Sequence, residues 1–158
     1  MPAEPPEWTP SVEDVAAHIR ARTKNPAGKE VGTFDATTRP TGEEVERLIS
    51  KGVRRVMTQV GDPCTEELRE DAGAAAALYT AMLIEQSYFP EQTTATGSSF
   101  NSLMKLWEGQ IKVLDEEVAR ECGGAAGGEG GGADGKAILT PAAYTDLREV
   151  IGPSSKEL

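Results

Sequence analysis

Two stretches limit what this chain can fold into. Residues 31–49 read VGTFDATTRPTGEEVERLI, and residues 83–92 read LIEQSYFPEQ. The first is an extended, Thr-rich connector that delivers a helix with its cap already in place. Pro40 disfavours helix in the residue before it, and Thr41 with Glu44 three positions later makes a capping box. The second is an apolar helix end cut off by Pro90. Neither stretch holds a catalytic group. Both point to the inside of a small helical protein built to pack against copies of itself.

Periodicity extends this to four helices. The first is expected over residues 11–22, with Val12, Val15, Ala16 and Ile19 as its apolar stripe. Ser11 with Asp14 fits a capping-box variant, and Thr9 with Pro10 at the first helical position fits nearly as well. Asn25-Pro26 signals the turn that follows. Residues 29–35 alternate weakly and read as a short strand or hairpin arm. The second helix starts at Thr41, and Val45, Ile49, Val53, Val56 and Val60 line one of its faces. The third is expected over residues 63–89, capped by Asp62 with Pro63 at the first position. Glu66, Glu67, Glu70 and Asp71 load its first turns, where the helix dipole favours anions. Residues 72–84 are then almost wholly apolar and rich in Ala, as in a helix buried on more than one side. The fourth, over residues 98–121, carries the cleanest stripe: Phe100, Leu103, Trp107, Ile111, Leu114 and Val118. Lys105, Lys112, Asp115, Glu116 and Arg120 lie opposite.

Composition divides the chain. Residues 1–10 form a Pro-rich extended arm, and residues 11–121 the helical domain. Residues 122–136, CGGAAGGEGGGADGK, are a Gly-rich linker. Residues 137–158 regain pattern as a docking tail, with a short helix begun by Thr140-Pro141 and ended by Gly152-Pro153. The net charge of −10, from 26 acidic and 16 basic residues, repels nucleic acid and anionic membranes. No apolar run approaches the roughly 20 residues that span a bilayer. The N-terminal residues have neither a basic region nor an apolar stretch and do not read as a signal peptide. Cys64 and Cys122 form no CxxC pair, and reduced thiols are the simpler expectation.

The chain offers little for chemistry. His18 is the single histidine, sits mid-helix beside Ile19 and reads as a solvent-side or interface residue. One His and two scattered Cys do not supply a usual structural zinc site. The acidic clusters fall in capped first turns or on polar faces, and the Gly-rich stretch lacks the GxxxxGK[ST] pattern of a phosphate loop. Lys51, Arg54 and Arg55 sit on the second helix. The connector before it is too long for a helix-turn-helix, and the overall charge is of the wrong sign. The expectation is therefore no catalysis, no cofactor and no metal. Trp8 stands outside the helical pattern. It either folds back over the first helix or inserts into a neighbouring molecule.

The order EDVAAHIRARTKNPAGKEVGTFDATTRPTGEEVERLI, an Ala-rich helix ending LIEQSYFPEQ, and a helix SLMKLWEGQIKVLDEEV resembles the head-to-tail adaptor proteins of long-tailed bacteriophages. These are also called connector or head-completion proteins, and the closest flavour is that of phages of actinobacteria. The resemblance covers residues 8–118 and rests on element order and the two opening stretches. The Gly linker and tail after Cys122 depart from it. It implies an all-α four-helix bundle with an extended loop or small hairpin between helices one and two. It implies a homo-oligomeric ring, typically dodecameric, in the virion neck, assembled in the host cytoplasm. One side would meet the portal protein and the other the stopper or tail-completion protein. DNA would pass through the channel without sequence-specific binding. No catalytic residue is carried over. Candidate contact residues are Trp8, Val31, Phe34, Arg39, Tyr88, Phe89, Tyr144, Leu147 and Ile151. The alternative is a small cytosolic helical interaction or regulatory module that forms no ring.

Overall fold

The computed structural model describes residues 4–94 and 97–123. The expected linker beyond Gly123 and the docking tail lie outside the described residues. Those described are all-α. Four helices follow in order: α1 (Val12–His18), α2 (Gly42–Val60), α3 (Glu66–Tyr88) and α4 (Ser99–Glu121), with short 3₁₀ turns at Arg20–Arg22 and Pro90–Gln92.

Each α-helix begins at a hydroxyl that accepts from a free N–H of the first turn, which removes one of the orphan donors a helix start exposes. Ser11 accepts from the Asp14 N–H and Thr41 from the Glu44 N–H, and in both cases the carboxylate reaches back to the cap N–H at 2.8 Å. Thr65 caps α3 and Ser98 caps α4 in the simpler one-way form.

Two expected boundaries are corrected. The first helix stops at His18, because Ile19 leaves helical geometry at φ −136° and ψ 44° and feeds the 3₁₀ turn. The third begins at Glu66 rather than Pro63, because Thr65 and not Asp62 supplies the capping oxygen. Pro63 is buried outside the helix.

The central helix is α3, against which α1, α2 and α4 all pack. That placement explains its composition. Ala72, Ala75, Ala76, Ala77 and Ala81 are all buried and present little bulk, so the neighbours approach closely. The tightest approach is at Gly52 on α2. A Cβ there would lie 2.5 Å from Thr80 Oγ1 and 2.7 Å from the Ala76 carbonyl oxygen. The expected stripes of α2 and α4 are buried against α3 and each other, with Phe100 only half-buried. The apolar length of α3 is thus consumed within this chain. Leu106 and Val113, which lie off the α4 stripe, stay 62% and 53% exposed.

The thiol expectation is overturned. Cys64, just before α3, and Cys122, just after α4, form a disulfide across a sequence separation of 58. The two helices run back to back, which brings residues far apart in sequence to the same end of the pair. Spacing alone did not reveal this.

The connector between α1 and α2 contains no strand among its described residues, only an isolated antiparallel bridge between Lys24 and Glu30. It is held by local bonds instead. The Val31 N–H donates to the Thr23 carbonyl at 2.7 Å, the Gly32 N–H to Thr23 Oγ1 at 3.1 Å, and the Thr37 N–H to the Asp35 carboxylate at 2.7 Å. Thr23, Phe34, Thr38 and Pro40 are buried. Both ends of the connector are thus anchored on its own chain, through Thr23 at one and Phe34, Thr38 and Pro40 at the other.

Candidate interaction surface

The two stretches that most constrain the sequence meet in space. Tyr88, at the end of α3, stands close to Glu44, the acidic member of the α2 capping box, so that each acts on the other's ionisation, and Arg39 acts electrostatically on both. The Thr41 N–H, first among several hydrogen bonds, holds the Glu44 carboxyl below its usual pKa. Burial, and then Glu44, push the Tyr88 phenol up.

One turn earlier, Glu85 is 1% exposed and is gripped by Arg22, with Nε to Oε1 at 2.8 Å and Nη2 to Oε2 at 2.9 Å. The guanidinium also lies over Phe89, 4.0 Å from the ring centre. The hydrogen bond to Glu85 raises the Arg22 pKa further from neutrality. A bidentate fork and a ring face are what a guanidinium recognises best. The cluster fixes the 3₁₀ turn after α1 and the end of α3 to each other.

The candidate contact residues separate into classes. Trp8 is buried, and its carbonyl oxygen would lie 2.7 Å from a Cβ at Gly73 on α3. The arm therefore folds back onto its own chain. Phe34 is also in the core. Neither is free to enter a partner in this conformation. Tyr88 and Phe89 are half-buried, Arg39 is exposed and Val31 is 40% exposed. Tyr144, Leu147 and Ile151 lie outside the described residues.

His18 is exposed at an open cleft of about 740 Å³ that Trp8, Asp14, Glu66, Arg69 and Glu70 also line. Partial desolvation lowers its pKa, and Asp14 opposes the effect. No group of three or more His, Cys, Asp or Glu among the described residues is arranged to hold a metal ion. No helix among them is long and apolar enough to cross a membrane.

Lys51 and Arg54, noted in the sequence only as basic residues, belong to a second surface. Arg47, Lys51 and Arg54 are exposed on α2 and recur at helical spacing opposite its Val stripe, with Met57 beside them 40% exposed. Asp71, Gly109, Gln110, Val113, Leu114 and Glu117 line a separate groove of about 300 Å³ between α3 and α4. The signal was present as Met57, Leu106 and Val113, three large apolar residues that fit no helical stripe.

Comparison with known protein families, curated proteins and solved structures gives no match.

Proposed function

We propose that this chain is a head-to-tail adaptor of a long-tailed bacteriophage. Its four helices form a bundle that serves as one wedge of a ring, dodecameric in the manner of such adaptors, between the portal of the capsid and the stopper or tail-completion protein. The observation that carries the reading is the meeting of residues 31–49 with residues 83–92. The stretches on which the resemblance rests come together where Tyr88 stands against Glu44, with Arg39 acting on both.

The surface supports assembly rather than chemistry. Exposed apolar side chains remain on two different helices, Met57 on α2 and Leu106 and Val113 on α4. A ring needs two unlike patches on each subunit, a heterologous contact that closes by rotation. With a charge of −10 per copy, a ring of twelve would carry on the order of −120, which disfavours adhesion of passing DNA. The protein works passively, by holding partners in register around a channel.

Electron cryo-microscopy of portal–tail complexes containing this chain tests the reading. The expected result is a ring of this protein between portal and tail. Neck particles that hold every other component but lack this chain would defeat it, and would favour the cytosolic interaction module.

A further inference from the structure

The exposed surfaces of α2 and of the α3–α4 groove carry opposite charge. On α2, Lys51 and Arg54 have no ion-pair partner among the described residues, while Arg47 touches only Glu43 at 4.0 Å. No acidic residue occurs from Arg47 to Gly61. Met57 lies one turn beyond Arg54, so charge and apolar contact share two turns of helix, about 9 Å from Lys51 to Met57.

The groove has the complementary pattern. Val113 is 53% exposed, and Asp71 and Glu117 stand with it along the groove. Glu67 precedes Asp71 by one turn and is exposed on the same side of α3. Glu117 shares Arg120 with Glu121, at 4.0 Å and 3.2 Å respectively, whereas Asp71 has no ion pair among the described residues. An added Cβ at Gly109 would meet nothing within 4 Å, so α4 offers an approach unobstructed by a side chain there.

We infer that the α2 face of one copy seats in the α3–α4 groove of a second copy, with Met57 against Val113 and Lys51 and Arg54 against Asp71 and Glu117. The occupant follows from sign. Pairing either patch with itself sets like charges together, which costs affinity and misdirects encounter. Pairing one with the other sets opposite charges together around an apolar centre, the usual anatomy of an interface. The contact is heterologous, so a joined pair keeps one unused patch of each kind, and assembly continues until rotation closes it. Closure into a neck ring rests on the adaptor reading, whereas the pairwise contact rests on the two surfaces alone.

The test uses the full chain. Met57→Cys and Val113→Cys are made in separate chains and mixed with a short bismaleimide, both in concentrated solution and in assembled neck particles. Crosslinks in the mixture, and in neither chain alone, are the expected result. Linking of Val113→Cys with itself, or no link in the mixture in either setting, overturns the inference.

Charge reversal gives the second arm. Lys51→Glu/Arg54→Glu, or Asp71→Lys/Glu117→Lys, should each weaken self-association by ~10-fold or more in sedimentation. Mixing the two variants should recover it, because each then offers the other an opposite face. Loss without recovery, in variants whose helical signal is intact, also overturns the contact. So does reversal on α2 that abolishes duplex DNA binding while leaving the crosslink unchanged. A neck ring built on other surfaces would sink this contact and leave the adaptor reading standing. A confirmed crosslink in a protein absent from the neck would do the reverse.

Discussion

Arg22 grips Glu85 from 63 residues away, through a fork with both N–O distances under 3 Å, and rests its guanidinium on Phe89. The two members are unequally buried. Glu85 is 1% exposed and Arg22 23%. Removing Arg22 strands a carboxylate that water does not reach, whereas removing Glu85 leaves a cation with a partial path to solvent. Breaking a buried pair from one side is costly, while replacing both members with apolar groups is often nearly neutral. Arg22→Met should therefore destabilise by about 2–4 kcal/mol. Glu85→Gln, which keeps an acceptor, should cost less, and Arg22→Met/Glu85→Met should recover part of the loss. Urea unfolding of the three variants checks the order. Equal costs for the two single changes would refute it.

The α2–α3 contact predicts that one substitution acts with opposite sign at two sites. Gly52→Ala forces a Cβ toward the Ala76 carbonyl, a backbone atom that yields only if the helix moves. A cost of about 1–3 kcal/mol is expected from overpacking. Gly109 is also inside a helix, but a Cβ there meets nothing within 4 Å. Gly109→Ala should stabilise by up to about 1 kcal/mol through helix propensity. Thermal melts of both variants decide it.

The contrast between these glycines marks what was legible in the sequence. The cap at Thr41, one of the two caps weighed for the first helix, Ser11, and the stripes of α2 and α4 could be read because they are local, fixed by spacings of three and four residues. The central place of α3 was legible from its all-round apolar composition. The Arg22–Glu85 pair, the Cys64–Cys122 bridge and the burial of Phe34 were not, because each joins residues whose proximity only the packed helices create. Trp8 was left open between two fates. Its own chain took it up because Gly73 leaves room for the arm against α3.

The disulfide makes a prediction of its own. It joins the start of α3 to the end of α4 across 58 residues, and a loop of that size is worth about 4 kcal/mol in the chain-entropy model. Its main effect falls on the unfolded chain, so Cys64→Ser/Cys122→Ser should keep the helical content and lower the unfolding midpoint. Circular dichroism with and without reductant measures both quantities. An unchanged midpoint in reductant, with the bond shown by mass spectrometry to be present beforehand, would count against the bridge as a staple.

His18 should make stability depend on pH in a window of its own. Its folded-state pKa lies below the ordinary 6.5, because desolvation outweighs the nearby Asp14 carboxylate. Glu66, Glu70 and Arg69 share its cleft and do not reverse that direction. The unfolded chain therefore binds the proton more readily than the folded one. This contribution is fully present above the unfolded pKa and is lost as pH falls through the folded one. Glu44 and Asp35 have pKa values held below 4.5 and 3.8, so their similar losses come at lower pH. Between about pH 7.5 and about pH 5.5, wild-type protein should lose more stability than His18→Gln. Urea midpoints at the two pH values give the difference directly. A larger loss in the variant would mean that Asp14 dominates and that His18 is stabilised, not strained, when charged.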